Sequence, residues 1–66
     1  MRLIVNGEEY MHNGKGSLIS LLDKLGAKGE RVATMVNGEV VAKKERRDVT
    51  LKEGDRVEVL TYAGGG

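Results

Sequence analysis

The residues of this chain best placed to do chemistry come last: Leu60-Thr61-Tyr62-Ala63-Gly64-Gly65-Gly66. A strand-like run, Arg56 to Tyr62, leads straight into three glycines. Glycine has no Cβ, so Gly64, Gly65 and Gly66 make a thin thread, closed by an α-carboxylate. Ala63 to Gly66 can span roughly 13–14 Å, about the depth of an active-site channel with no room for side chains. A carboxylate is a poor electrophile, and adenylation by ATP would turn it into a good one. Gly66 is therefore a candidate chemical handle presented to another enzyme. The competing reading is a frayed terminus whose glycines are incidental.

Other residues offer less. His12 is the single histidine and has no Cys, Asp or Glu around it at ligand spacing, so it reads as a surface strand residue with no catalytic or metal role. Glu8 and Glu9 are adjacent in a strand and point to opposite faces, so they do not form a carboxylate pair. Asn6-Gly7 and Asn37-Gly38 are turn chemistry, because neither opens a helix in the glycine-rich pattern of a phosphate loop. The run Lys43-Lys44-Glu45-Arg46-Arg47 lacks an aromatic and is interrupted by an acid, which suits a solvated connector better than a docking patch.

Composition narrows the function classes further. Sixty-six residues make one domain near the lower size limit for an independent fold, with a shallow core. Cysteine is absent, which excludes disulfides and thiolate metal sites. With no Phe or Trp either, the core must be built from Leu, Ile, Val, Met and Ala. Eleven basic residues against ten acidic ones, a net charge of +1, give no case for nucleic acid. No apolar run approaches the roughly 20 residues needed to span a bilayer. Met1-Arg2 passes directly into a strand pattern instead of a signal peptide. The expectation is a cytoplasmic protein that is a monomer by itself.

The elements that must position the tail follow from periodicity. Leu3-Ile4-Val5, the Asn6-Gly7 turn and Glu8 to His12 read as a β-hairpin with Leu3 and Val5 facing the core. Asn13 to Gly16 is a turn cluster, and Ser17 is a good N-cap. Leu18, Leu21, Leu22 and Leu25 recur at i, i+3, i+4 and i+7, one apolar helical stripe that Gly26 ends as a left-handed cap. A helix this short needs a sheet to lie against. Val32 to Val36 is a third strand with Thr34 and Val36 inward, and Glu39 to Ala42 a fourth after the second Asn-Gly turn. Lys43 to Asp48 is a charged connector with room for one helical turn, and Val49 and Leu51 tuck back under the core. In the last strand Val57 and Val59 alternate with Glu58.

The order β-β-α-β-β-β, with one helix, points to an α+β β-grasp (ubiquitin-like) fold. It has a five-stranded mixed sheet with the helix packed across one face, and the first and last strands adjacent and parallel. The domain is residues 1–62 and the tail 63–66. If Val57 and Val59 face the helix, Leu60 and Tyr62 face outward or sit at the base of the tail, unless a register shift buries them. Exposed, they join Met35, Ala33 and Ala63 as candidate partner contacts.

Read in order, several pieces resemble the ThiS family of small bacterial sulfur carriers of thiamin-thiazole synthesis. They are Ile4-Val5-Asn6-Gly7, Ser17-Leu18 with Leu21-Leu22 and Leu25, Val36-Asn37-Gly38-Glu39-Val40-Val41, Leu51 to Val59, and Gly64-Gly65-Gly66. Nearly the whole chain is covered. The proline and tryptophan that many members carry around Val41 to Glu45 are absent. The resemblance implies a non-enzymatic carrier with no bound cofactor. A ThiF-like adenylating enzyme would use ATP and Mg²⁺ to activate the Gly66 carboxylate. A persulfide derived from a cysteine desulfurase would convert it to a thiocarboxylate, and thiazole synthase ThiG would accept the sulfur. The alternatives are a molybdopterin synthase small subunit, a ubiquitin-like protein modifier and a plain interaction domain.

Overall fold

The chain folds around a parallel pair of strands that are far apart in sequence. The computed structural model describes residues 1–14, 16–27, 29 and 31–61. Tyr62, Ala63, Gly64, Gly65 and Gly66 lie outside the described residues. The elements are β1 (Arg2–Val5), β2 (Glu8–Met11), α1 (Leu18–Leu25), β3 (Val32–Val36), β4 (Glu39–Val41), a 3₁₀ helix (Lys43–Asp48) and β5 (Arg56–Thr61). They form one five-stranded sheet in the order β2-β1-β5-β3-β4. β1 and β5 are parallel, and the hairpins β1–β2 and β3–β4 and the pair β3–β5 are antiparallel. This is the β-grasp arrangement, with everything between β1 and β5 serving as the crossover.

Both hairpins turn on Asn-Gly. Asn6 and Gly7 have φ of 51° and 82°, and Asn37 and Gly38 have 51° and 87°. Positive φ at both central residues is what a type I′ turn requires, and Asn and Gly tolerate it best. The helix is bounded as its sequence dictates. Ser17 Oγ accepts from the Ser20 N–H at 3.2 Å, and Gly26 closes the helix in the left-handed conformation at φ 70°. Its leucine stripe makes the core: Leu18, Leu21 and Leu22 are fully buried with Leu3, Leu51 and Val57, and Leu25 packs against them half-buried. Leu51 gets there because its segment is stitched to the helix start. Leu18 N–H donates to the Val49 carbonyl at 2.9 Å, and Leu51 N–H to the Gly16 carbonyl at 2.7 Å. Thr34 is buried on the same side of the sheet, its hydroxyl donating to the Val41 carbonyl at 3.2 Å.

Two residues expected at the surface are inside. His12 is 1% exposed. The cause is strand parity: Leu3 pairs with Tyr10, so Tyr10 lies on the core side, and His12, two residues on, continues on that side. The backbone holds it there, with His12 N–H donating to the Met1 carbonyl at 2.8 Å and the Met1 amine donating to the His12 carbonyl at 3.0 Å.

Arg46 is the second correction. The connector is a 3₁₀ helix, and Arg46 within it is 2% exposed while Lys43, Lys44, Glu45, Arg47 and Asp48 are exposed. Its guanidinium donates to the carbonyls of Gly29 (3.4 Å) and Val32, tying the connector to the approach to β3. The planar fork of arginine suits two carbonyls at once, while the aliphatic stem packs. Arg46→Ala is expected to cost about 2–4 kcal/mol by emptying a buried site and leaving the buried Val32 carbonyl without this donor. Arg47→Ala, on the exposed side, should stay within about 0.5 kcal/mol. Urea unfolding midpoints of the two variants check this.

Candidate functional site

Strand alternation divides β5 into two sets of side chains. Val57 is buried and Val59 half-buried on the helix side, so Arg56, Glu58 and Leu60 emerge on the opposite face. β3 divides in the same way, with Val32, Thr34 and Val36 toward the helix and Ala33 and Met35 away from it. The registers bring the outward residues together: Ala33 lies opposite Leu60, Met35 opposite Glu58, and Val40 opposite Met35. Ala33, Met35, Val40 and Leu60 thus form one continuous apolar patch. Leu60 is 55% and Val40 74% exposed, with Met35 and Ala33 half-buried between them.

No register shift buries Leu60. The structure therefore brings together three of the residues expected on this face, Ala33, Met35 and Leu60. It adds Val40, which the sequence reading did not single out. The signal for Val40 was available. A two-residue Asn37-Gly38 turn pairs Val36 with Glu39 and Met35 with Val40, so Val40 must share the face of Met35. Tyr62 and Ala63, expected beside the patch, and Gly64, Gly65 and Gly66, expected to thread into partner sites, lie outside the described residues.

Polar groups frame the patch. Arg56 and Glu58 lie along its β1 side, where a shallow cleft of about 270 Å³ opens between the two Asn-Gly turns, lined by Ile4, Gly7, Gly38, Arg56, Val57 and Glu58. Farther across, Arg2 and Glu9 make an exposed ion pair at 3.2 Å, of the kind that contributes little to stability. Glu8 pairs with Val5 and Glu9 with Ile4, so the two carboxylates leave opposite faces of the sheet as expected. Among the described residues no three His, Cys, Asp or Glu side chains gather into a metal-binding group. No helix among them is long and apolar enough to cross a membrane.

The two turn asparagines grip the central strand from opposite sides. Asn37 Oδ1 accepts from the Arg56 N–H at 2.9 Å, and its Nδ2 donates to Asp55 Oδ1 at 3.1 Å. Asn6 Oδ1 accepts from the Val59 N–H at 2.8 Å, and its Nδ2 donates to the Val59 carbonyl at 3.2 Å. Asn37 secures the beginning of β5 and Asn6 its C-terminal half. The candidate site is thus an exposed apolar face beside a firmly held central strand, whose last described residue, Thr61, pairs with Val32.

Known proteins share both this architecture and the sequence that makes it. A crystal structure of the thiamine biosynthesis protein ThiS from Geobacter metallireducens superimposes with a TM-score of 0.82 at 38% identity, covering 100% of both chains. An NMR solution structure of a thiamine biosynthesis protein from the same organism gives 0.81 at 38% identity, covering 100% of this chain and 88% of the other. Two curated relatives are thiazole synthases. That of Paramagnetospirillum magneticum is 35% identical and that of Magnetococcus marinus 36% identical, each over 66 residues. The match takes in all of this chain, which spans 20% of the length of either synthase. The family model for ThiS matches residues 3–66. The chain belongs to the ThiS family.

Proposed function

We propose that this chain is a sulfur carrier of thiamin synthesis, which acts by presenting its C-terminal carboxylate at Gly66 to other enzymes. The observation that carries this reading is the placement of β5. It is the central strand of the sheet and the last described element, and the exposed apolar patch includes its own Leu60. In this reading a partner that docks on the patch is offered, in the same encounter, the residues that follow Thr61 in sequence. The likeness to a thiamine biosynthesis protein over the whole chain supports the pathway.

In the proposed cycle an adenylating enzyme supplies Mg²⁺ and ATP. The Gly66 carboxylate attacks the α-phosphorus, pyrophosphate leaves, and an acyl-adenylate results. A cysteine persulfide from a desulfurase displaces AMP to give an acyl disulfide. A thiol then cleaves its S–S bond and releases the thiocarboxylate. Thiazole synthase accepts that sulfur for ring formation. The carrier supplies no acid, base or nucleophilic side chain to any of these steps. Its work is recognition and delivery. That two thiazole synthases carry a segment alike to this entire chain supports a thiazole synthase as the acceptor.

The test is intact mass. Incubation with a thiamin-pathway adenylating enzyme, Mg-ATP, a cysteine desulfurase, cysteine and a thiol reductant is expected to raise the mass by the difference between sulfur and oxygen. Omission of ATP should prevent the change. A chain left unaltered by partners that thiolate another ThiS family member would overturn the reading. So would conjugation of Gly66 to lysines of other proteins, which would make the chain a modifier.

A further inference from the structure

The side chain of Asn6 does more than shape a turn. On its β1 side, β5 is held first by the main chain: Ile4 N–H donates to the Asp55 carbonyl at 2.9 Å, and Asn6 N–H to the Val57 carbonyl at 2.9 Å. There β1 turns away into Asn6-Gly7, while β5 continues toward the tail. The next β5 residue facing that side, Val59, gives both its N–H and its carbonyl to the Asn6 carboxamide. A carboxamide is a planar donor–acceptor pair with the chemistry of a peptide group. It therefore stands in for one more residue of β1 and carries the parallel pairing two residues farther along β5. Beyond Val57, the β3 ladder is the main-chain hold on this strand among the described residues.

We infer that Asn6 is a positioning residue for the reacting C-terminus: its carboxamide fixes the C-terminal half of β5, the strand that precedes the glycines in sequence, from the β1 side. This inference rests on the carrier reading above. Docking affinity comes from the apolar patch, which Asn6 does not line. Loss of Asn6 should therefore leave the encounter with the adenylating enzyme intact and misplace the carboxylate after docking, where small displacements slow reaction strongly. The chemistry required is specific. An aspartate could keep the acceptor for Val59 N–H but would set an anionic oxygen against the Val59 carbonyl. Glycine tolerates the positive φ of the turn and removes both bonds.

The experiment compares Asn6→Gly with Asn37→Gly, which strips a similar pair of bonds from the start of β5. In Asn6→Gly, amide exchange at Val59 is expected to accelerate about tenfold or more, and kcat for adenylation to fall about tenfold with KM within about twofold. Asn37→Gly should leave Val59 exchange and kcat near those of the unaltered protein. Asn6→Asp should keep the turn and fall between. Unchanged Val59 exchange in Asn6→Gly overturns the clamp itself, whatever the function of the chain. Faster exchange with kcat equal to that of Asn37→Gly overturns the positioning role and leaves the carrier reading standing. An unaltered chain that is never adenylated overturns the carrier reading and the positioning role together.

Discussion

Deletion of Gly66 is expected to lower adenylation at least about a hundredfold while the urea unfolding midpoint stays where it is. The reacting group in the proposed cycle is the terminal carboxylate, so removing one residue draws it back by up to about 3.3–3.6 Å. A displacement of about 1 Å at a reacting centre can already cost about a hundredfold. The core cluster is assembled from Leu3, Leu18, Leu21, Leu22, Ala27, Val32, Leu51 and Val57, with Val59 packed against it, all upstream of the glycines. Gly65→Val makes a complementary variant, because it keeps the length and adds a branched side chain where a narrow channel has no space for one. Rates of ATP-dependent pyrophosphate release, read beside unfolding curves for both variants, separate chemistry from folding. A truncated chain that is adenylated at the original rate would show that Gly66 is not the handle.

The parts of this fold that could be read from sequence are those governed by local rules. Asn6-Gly7 and Asn37-Gly38 announce tight hairpins because few residues accept positive φ twice in succession. The stripe Leu18, Leu21, Leu22, Leu25, with Ser17 and Gly26 at its ends, announces a helix whose caps the structure reproduces. The parallel pairing of β1 with β5 was legible only through consistency among these elements, since nothing local specifies a partner so distant in sequence. His12 and Arg46 are polar residue types that lie inside, each for its own reason. Strand parity carries His12 inward, two residues after Tyr10, whereas Arg46 has an aliphatic stem that can be buried while its fork reaches carbonyls of another segment. Asn6 was recognised as a turn residue and not as a clamp, because its bonds go to Val59, which no sequence rule brings near. The outward face was half legible. Alternation placed Met35 and Leu60 together, and the choice of register that exposed them awaited the ladder between β3 and β5.

That ladder makes neighbouring residues of β5 test different claims. Leu60→Lys is expected to weaken docking to the proposed adenylating enzyme by about 10- to 100-fold, because it sets a charge within the apolar contact patch. Stability should change by no more than about 0.5 kcal/mol, because the Leu60 side chain is already 55% exposed and Glu58 lies on the same face. Met35→Lys should weaken docking in the same way at a larger cost in stability, since Met35 is half-buried. Val57→Lys should instead unfold the protein. Val57 is fully buried against the leucine stripe, and a domain of this size has only about 3–10 kcal/mol to lose. Titration of the adenylating enzyme by each variant, with circular dichroism on the same samples, distinguishes the two outcomes. The kinetic signatures should differ as well. Loss of the patch is expected to raise KM, because it would remove contacts made before and during reaction alike, whereas loss of the Asn6 clamp is expected to lower kcat. A Leu60→Lys chain that binds as tightly as the unaltered one would sink the docking role of this face, and with it the argument that a partner meets patch and tail together.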